Sequence, residues 1–532
     1  VSSIGRASVL IGAGTIVSRV SGLLRTIVLV GAIGAISGAG DAFAVANQLP
    51  NNIYAIISTG LLTAVVVPQI VKAAAHVDGG QAFISKLFTL GTVGLLAATA
   101  LAMIAAPLLV QMYASKFTLD QLALSTAFAY WCLPQIFFYG LYALLGEILN
   151  ARRVFGPYTW APIVNNLVSI AGFGLFILVF NGPQERVAAW TPGMIAVLGG
   201  TATAGIVVQT LVLLFFWRRA GLALRPDFQW KGVGLRHIGR LAGWTFLMVV
   251  AGQLAGIVQS NVLSGASGED PAIFASQNAW LLFMLPYSII VLSIGTPYFT
   301  QLSEHAAAGR DDEVRDDISR SIRTLGLFIV VSTAALAVAA VPASRIFTKS
   351  PEQAAAAAPV LLCFLVCLVP LAVLFVVQRT FYAYNDTRTP FFFTLLQCAL
   401  VAGGAVWAGA GLDRAELAAG VALTQSFASV VQVVVATALL HRRLGSIGTA
   451  SWLFALGRFA LAALPAAAAG YGVWLLLGGV EGWTTGSALA GAAGAAIIGT
   501  VVLAVYICIL AVLRTPELAP ALALGRRFLP KR

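Results

Sequence analysis

Residues 357–377 read AAPVLLCFLVCLVPLAVLFVV, and no charged side chain falls between Glu352 and Arg379. About 20 mostly apolar residues in a helix cross the hydrocarbon core of a bilayer. In lipid the backbone must satisfy its own hydrogen bonds, which a helix does, so this stretch predicts a membrane-crossing helix. Working outward in both directions, comparable runs recur along the whole 532-residue chain, centred near residues 20, 58, 97, 136, 168, 206, 251, 286, 332, 368, 400, 428, 465 and 500. The composition agrees: 59% of residues are hydrophobic and 10% charged, against about 25% charged in soluble proteins, and the mean hydropathy is +0.91. A soluble fold would expose large apolar patches. The expected class is an all-α polytopic membrane protein with 14 transmembrane helices and no extramembrane domain.

Lysine and arginine set the orientation of such a chain. With fourteen spans, the termini and the loops after even-numbered spans hold 24 of the 32 basic residues, including Arg152–Arg153, Arg442–Arg443 and the tail Arg526, Arg527, Lys531 and Arg532. The other side holds five (Lys116, Arg186, Arg345, Lys349, Arg414), and three lie within spans. This places both termini in the cytoplasm. It accounts for the net charge of +12 through basic loops facing an anionic leaflet rather than through nucleic-acid binding. The five cysteines (Cys132, Cys363, Cys367, Cys398, Cys508) sit in apolar runs without metal or redox spacing, as small buried hydrophobes do. All four histidines fall in polar connections, which argues against a histidine proton relay. The first apolar run carries internal arginines and no small-residue cleavage site, unlike a secretory signal. Val1 points to a start upstream or to an alternative start codon.

Two unusual features recur. Leu49-Pro50 in span 2 is followed by Gly60, and Leu285-Pro286 in span 8 by Gly295. The exit of span 4, Leu149-Asn150-Ala151-Arg152-Arg153 then Pro157, resembles the exit of span 10, Tyr384-Asn385-Asp386-Thr387-Arg388 then Pro390. Offsets of 236 and 233 residues point to a duplicated six-span unit in parallel orientation, with chance similarity as the alternative. The expected organisation is a six-helix lobe over 1–225, a second over 226–444, and spans 13 and 14 with a cytoplasmic tail over 445–532. Two such lobes about a pseudo-twofold axis would enclose a cavity that opens alternately to each side.

Polar residues inside the spans are the candidate site. Span 1 contains Thr15-Ile16-Val17-Ser18-Arg19-Val20-Ser21-Gly22-Leu23-Leu24-Arg25. An arginine at mid-bilayer costs about 2.5–3.5 kcal/mol on insertion scales, so two in one span need a reason. Six residues apart, they lie about 9 Å along and about 120° around a helix. Guanidinium forks match phosphate oxygens and stay charged at any pH, so the pair reads as an anion site; snorkelling to the interface is the alternative, and the more natural reading for Arg458 in span 13. Ser18, Ser21 and Gly22 thin the helix for a ligand or a close neighbour. Asp41 opens span 2, where it either neutralises an arginine or gates the outer mouth, or is a helix N-terminal charge favoured by the dipole. Asn47, Gln48, Asn51 and Asn52 surround the kinking Pro50, and Asn165-Asn166 follow Pro157 and Pro162 in span 5. These amides suit sugars or a peptide in a wet cavity, or interhelical hydrogen bonding. No catalytic constellation, metal-ligand cluster or Walker-type phosphate loop is visible, which indicates a transporter rather than an enzyme and no direct use of ATP.

In these residues the chain resembles the MurJ/MviN lipid II flippases of the MOP exporter superfamily. The resemblance is carried by Ser18 through Arg25, Asp41-Ala42-Phe43, Leu49-Pro50-Asn51, Pro157 through Asn165-Asn166, and Phe381 through Pro390, and it runs through all fourteen spans. The Ala- and Gly-rich composition looks actinobacterial. The resemblance implies two six-helix lobes around a cationic cavity, and a groove at spans 13 and 14 for a polyprenyl tail. It implies transport of the undecaprenyl-pyrophosphate-linked peptidoglycan precursor (lipid II) to the outer leaflet, hence a role in cell-wall synthesis and cell shape, with cell-wall synthesis proteins as possible partners. It assigns substrate binding to Arg19, Arg25 and Asp41, to which the amides Asn51, Asn165 and Asn166 are added. Gly22, Pro50, Pro286, Asn385, Asp386 and Pro390 are the candidate hinge positions. Several positions depart from the family pattern: Thr26, Tyr54, Thr59 and Leu281 stand where an acid, an arginine, a glutamate and another arginine are usual. Gln259 replaces an acid that some members use for sodium. The expected cavity is therefore less cationic than usual. No cofactor is expected beyond a coupling ion of unknown identity. Two classes stay open beside a lipid II flippase: a flippase for another polyprenyl-linked glycan or an ion-coupled exporter of the same superfamily, and a non-transporting scaffold for cell-wall synthesis.

Overall fold

The computed structural model describes residues 3–59, 81–151, 154, 156–219, 227–228 and 235–518, and every described regular element is helical. The chain forms two compact units, Val1–Phe274 and Ala275–Arg532. The first contains α1 (Ser3–Ile33), α2 (Gly38–Ile57), α3 (Gln81–Ile104), the short α4 (Ala106–Tyr113), α5 (Leu119–Cys132), α6 (Gln135–Ala151), α7 (Gly156–Val179), α8 (Pro192–Arg219) and α9 (Leu235–Leu263). In the second are α10 (Ile273–Pro286, beginning at the unit boundary), α11 (Leu292–Ala307), α12 (Asp311–Val338), the short α13 (Ala340–Arg345), α14 (Pro351–Leu365), α15 (Leu368–Ala383), α16 (Arg388–Gly411), α17 (Arg414–Leu444), α18 (Thr449–Leu476) and α19 (Ala488–Val512). The division differs from the one expected after residue 225. α9 packs with the first unit, on α2 and α4, while α18 and α19 pack on α12 in the second.

Twelve described segments are long and apolar enough to cross a membrane, and each contains one of the twelve expected centres from residue 97 onward. The chain is therefore a multi-pass membrane protein. Of the remaining two expected spans, the one centred near residue 20 lies in α1 and the one centred near 58 is helical as far as Thr59, with residues 60–80 outside the described ones; neither is among the twelve. α1 carries Arg6, Arg19 and Arg25, while α2 carries Asp41 and four amide side chains. Two segments cross as broken pairs. α5 and α6 meet at a turn over Leu133 and Pro134, and α14 and α15 meet at Val366 and Cys367, three residues before Pro370. Proline lacks the N–H that the interrupted ladder would use. Pro134 and Pro370 are 236 residues apart, and the same order recurs around them. A long helix (α3, α12) leads to a short one (α4, α13), then to a capped helix broken beside a proline. Those capped helices begin at Thr118, in a reciprocal capping box with Gln121, and at Ser350, whose hydroxyl accepts from the Gln353 N–H. Helix hydrogen bonding also loosens after both repeated prolines: Ser58 and Thr59 adopt π geometry at the end of α2, and Tyr287–Val291 form a π turn directly after Pro286.

Packing follows the apolar faces. In the first unit Leu144, Leu145, Ile148 and Leu149 of α6 are buried against Ile84, Ala161, Leu213 and Trp217. In the second, Leu327 and Val330 of α12, Phe459 and Ala466 of α18, and Val502 and Tyr506 of α19 form one cluster, and the buried Tyr506 hydroxyl donates to the Leu327 carbonyl at 3.1 Å.

Candidate functional site

The two arginines of α1 are presented by a seam of small residues. α1 packs closely on α7, and a Cβ at Gly14 would approach Thr159 Cγ2 to 2.8 Å. Small side chains let membrane helices approach and let polar groups bond across them. Across this seam Asn166 Nδ2 donates to Ser21 Oγ at 2.8 Å and to the Ser18 carbonyl at 3.1 Å. Gly22 lies alongside, its hypothetical Cβ 3.6 Å from Asn166 Nδ2. Asn165, also buried, faces α8: Ser169 Oγ donates to its Oδ1 at 3.4 Å, and a Cβ at Gly205 would collide with that oxygen. Asn166 thus binds α7 to α1 and fixes the rotation of α1, whereas Asn165 bonds within α7 and packs on Gly205 of α8.

That rotation separates the arginines as their spacing requires. Arg19 is exposed and Arg25 half-buried, and neither forms an ion pair with a described residue. Arg25 sits where its charge acts on the Tyr139 hydroxyl. Tyr139 stacks on Tyr54 at 5.7 Å, the position where the resemblance leads one to expect an arginine. Tyr142 stacks on Tyr158 at 5.0 Å and donates to its carbonyl at 2.6 Å. The half-buried Glu147 lies near enough for its charge to act on Tyr54 and Tyr158. This wall of the first unit therefore holds one guanidinium, four phenols and one carboxylate, chemistry suited to a polar, partly anionic headgroup.

Asp41 lies elsewhere. Its carboxylate is 1% exposed and accepts from the Phe274 N–H at 2.8 Å and the Ser267 hydroxyl at 2.7 Å. Gln121 Nε2 donates in turn to Ser267 Oγ at 3.0 Å and the Gly38 carbonyl at 3.4 Å. Ser37 caps α2, its Oγ accepting from the Gly40 N–H at 2.9 Å. The aspartate thus joins the start of α2 to the segment that leads into α10, and among the described residues it has no arginine as a partner. Of the other amides on α2, Asn52 donates to the Tyr113 hydroxyl at 3.0 Å and Asn47 accepts from Gln135 Nε2 at 3.5 Å. Asn51 is exposed and the neighbouring Pro50 buried. The site residues are thus divided: Arg25 belongs to the tyrosine wall, Arg19 and Asn51 are exposed, and Asp41, Asn165 and Asn166 are engaged in helix contacts.

The candidate hinge of the second unit is a bonded corner. Asn385 adopts φ +55°, the left-handed geometry that asparagine tolerates at helix ends, and the Asp386 N–H donates back to the Phe381 carbonyl at 2.9 Å. Asp386 then caps α16, accepting from the Thr389 N–H at 3.0 Å and its hydroxyl at 2.8 Å, with Pro390 in the first turn. Arg443 Nη1 donates to Asp386 Oδ2 at 2.7 Å, and its guanidinium lies 4.9 Å from the Tyr384 ring centroid. The related exit at Arg152–Arg153 and the basic tail lie outside the described residues. Arg458 pairs with Glu517 at 2.5 Å.

One arginine escaped the sequence reading. Arg379 lies inside the span Pro351–Ala383, half-buried, its guanidinium 5.1 Å from the Phe299 centroid and 5.3 Å from that of Phe375. No ion pair holds it among the described residues. It closes an apolar run, where it counts equally well as a loop residue; the signal was its position directly after the uninterrupted run of residues 357–377. Among the described residues no cluster of histidine, cysteine and carboxylate groups could hold a metal ion.

The fold is shared with solved membrane transporters, among them members of the MOP superfamily. It is similar to a solved structure of "Lipid II flippase MurJ, inward closed conformation", with a TM-score of 0.70 at 19% identity over 93% of this chain and 98% of that one. It is also similar to an inward-facing multidrug resistance MATE family transporter of the MOP superfamily, with a TM-score of 0.65 at 14% identity over 81% and 96%. Within that class the family model described as "Lipid II flippase MurJ" matches residues 30–494, and the chain belongs to this family. Curated relatives named "Probable lipid II flippase MurJ" include one from Rhizobium tropici, 25% identical with 86% of this chain and 84% of the relative covered. Another, from Haemophilus influenzae, is 24% identical with 71% and 75% covered. Membership makes the chain a transporter and not an enzyme.

Proposed function

We propose that the chain carries lipid II from the cytoplasmic to the outer leaflet by alternating access. The observation that carries the reading is Arg25, a permanent cation in α1 that α7 orients through Asn166 toward the tyrosine wall, without a carboxylate partner among the described residues. A half-buried guanidinium binds pyrophosphate more strongly than an exposed one, because charge-assisted bidentate bonds gain strength away from water. Arg19 meets the same group at the entrance, the tyrosines stack on the sugars, and the prenyl tail stays in lipid. Both termini face the cytoplasm, a reading supported by the 24-to-5 distribution of basic residues over fourteen spans. Membrane potential or an ion gradient resets the cycle.

The test is outer-leaflet lipid II in cells depleted of their own flippase. Cells expressing this chain regain it, and cells expressing Arg19→Ala/Arg25→Ala at equal membrane abundance do not. If neither restores it although the wild type is folded and inserted, the cargo is another polyprenyl-linked glycan or the protein is a scaffold. If the variant works as well as the wild type, the anion site is wrong.

A further inference from the structure

Arg379 lies within a membrane-crossing segment, where a guanidinium is costly, and it offers several N–H donors. None of them reaches an acceptor among the described residues. Unlike Arg458 Nε, none of its nitrogens is both buried and unpartnered, so the donors are open. Aromatic rings hold the group instead: the ring centroids of Phe299 on α11 and Phe375 on α15 lie 5.1 and 5.3 Å from it. Phe375 fits over Gly295 of α11, where a Cβ would come within 2.5 Å of the ring. Aromatic faces attract a cation and leave the edge of the guanidinium fork free for an oxyanion. Its charge also acts on the hydroxyls of Tyr287, in the π turn, and of Tyr382.

The adjoining face of α11 suits water rather than lipid. It exposes Ser293, Thr296, Thr300, Gln301 and Glu304, which fall within about 140° of arc around the helix, while Gly295 and Leu302 on the opposite side are buried. Phe299 borders this face, about 60° from Thr296. In the same unit α18 exposes Phe454, Leu461, Leu464 and Leu475, as a helix against hydrocarbon does. Polar side chains in a crossing segment line water-filled paths, so Arg379 stands beside such a path.

Depth selects the anion. α15 ends at Ala383, about 6 Å beyond Arg379, at the end that the distribution of basic residues assigns to the cytoplasm. The segment Pro351–Ala383 has 33 residues, about 50 Å of helix, close to the full thickness of a bilayer with its headgroups. Arg379 therefore lies near the level of lipid phosphates, whereas the sugars and peptide of a lipid-linked precursor reach further into water. The sequence repeat points the same way. Phe375 follows Pro370 by five residues, as Tyr139, on which the charge of Arg25 acts, follows Pro134. Each unit thus sets an arginine without an ion-pair partner among the described residues against the aromatic at the same repeat position. We propose that Arg379 is a second anion-binding residue of the transport path, which takes the pyrophosphate of the cargo at the cytoplasmic side of the second unit. The assignment rests on the lipid II reading and deepens it.

The test is native mass spectrometry of the purified full chain in detergent, titrated with undecaprenyl pyrophosphate, undecaprenyl phosphate or phosphatidylglycerol. The Arg25→Ala chain lacks the anion site of the first unit and isolates the second. It should still bind the pyrophosphate in preference to the other two lipids. Adding Arg379→Gln should weaken that binding about tenfold, as loss of a charge-assisted hydrogen bond implies, and should narrow the preference over undecaprenyl phosphate. Adding Arg320→Ala, which removes an exposed cation elsewhere in the second unit, should change neither. If Arg379→Gln does not fold, Arg379→Met, which keeps the length and packs against the phenylalanines, replaces it. A role in packing alone would lower the melting temperature and leave the preference between the lipids unchanged, and that result overturns the assignment. So does an Arg25→Ala chain that has already lost all binding, or an equal loss of phosphatidylglycerol, which would make Arg379 a contact for ordinary lipid phosphate. In these three cases the wild type still binds undecaprenyl pyrophosphate and the lipid II reading stands. A folded wild type that binds no undecaprenyl pyrophosphate overturns both.

Discussion

Replacing Asp41 separates a residue that holds the fold from one that handles cargo. In Asp41→Ala two hydrogen bonds to a buried carboxylate disappear, those from Phe274 N–H at 2.8 Å and Ser267 Oγ at 2.7 Å. Bonds to charged groups contribute about 1.5–3 kcal/mol each. The Ser267 hydroxyl keeps Gln121 as a partner, but the Phe274 N–H is left unpaired, so the expected loss is about 3–5 kcal/mol. Asp41→Asn keeps the shape and an acceptor for Phe274, and Ser267 can turn to accept from the new amide; the expected loss is below about 2 kcal/mol. Thermal melting of the purified protein in detergent, followed by tryptophan fluorescence, should therefore rank wild type, then Asp41→Asn, then Asp41→Ala. Outer-leaflet lipid II in depleted cells, scaled to folded protein, should be near wild type for Asp41→Asn. An Asp41→Asn protein that melts like wild type and yet carries nothing would overturn this assignment, because the carboxylate charge would then act in the cycle.

Other perturbations follow from the same contacts. Gly14→Leu drives a side chain into Thr159 and Trp160 and should cost about 1–3 kcal/mol as overpacking, read as a lower melting temperature and a smaller folded fraction. Arg345 is buried and donates to the carbonyls of Thr348, Thr485 and Gly486. Arg345→Lys cannot reach all three with one ammonium and should lower the melting point, with faster proteolysis near residue 485. Arg443→Ala should loosen the corner at Asn385 and Asp386, raising amide exchange over 384–390 while costing only about 1 kcal/mol, since the ion pair is partly exposed. His305→Ala strands Asp317, whose carboxylate is buried and held by the ring at 2.7 Å, and should cost about 3 kcal/mol in the same melting assay.

Most of the helical architecture was legible because lipid solvation leaves a strong signature. An apolar run of about twenty residues is long enough to cross a bilayer and too bare of charge for the surface of a soluble fold, and all twelve segments that meet the criterion lie on expected centres. The breaks beside Pro134 and Pro370 were not separated from the spans containing them, since an apolar run looks the same whether its helix is continuous or interrupted. The site was legible in part. The 120° between Arg19 and Arg25 follows from the helical repeat alone, and it appears as one exposed and one half-buried guanidinium. What Asn165 and Asn166 touch depends on how α1, α7 and α8 are rotated, which no local pattern encodes. Asp41 likewise finds its partners over 220 residues away, and Arg379 was hidden by standing at the end of a span. Such pairings are properties of packing, and the sequence marked only that polar groups in those spans must find partners somewhere.

Whether this chain moves a pyrophosphate-linked lipid across a bilayer with Arg25 in contact with it can be decided with the purified protein in sealed vesicles containing labelled lipid II. A membrane potential is imposed, and an added enzyme that acts on one leaflet reports the labelled lipid it reaches. The wild-type chain should raise the accessible fraction above the share present in that leaflet at the start, while Arg25→Ala, inserted in equal amount and melting normally, should leave it at that share. Equal transfer by the two proteins would remove Arg25 from the transport path, and no transfer by a folded wild type over a range of potentials and ion gradients would contradict lipid II transport itself.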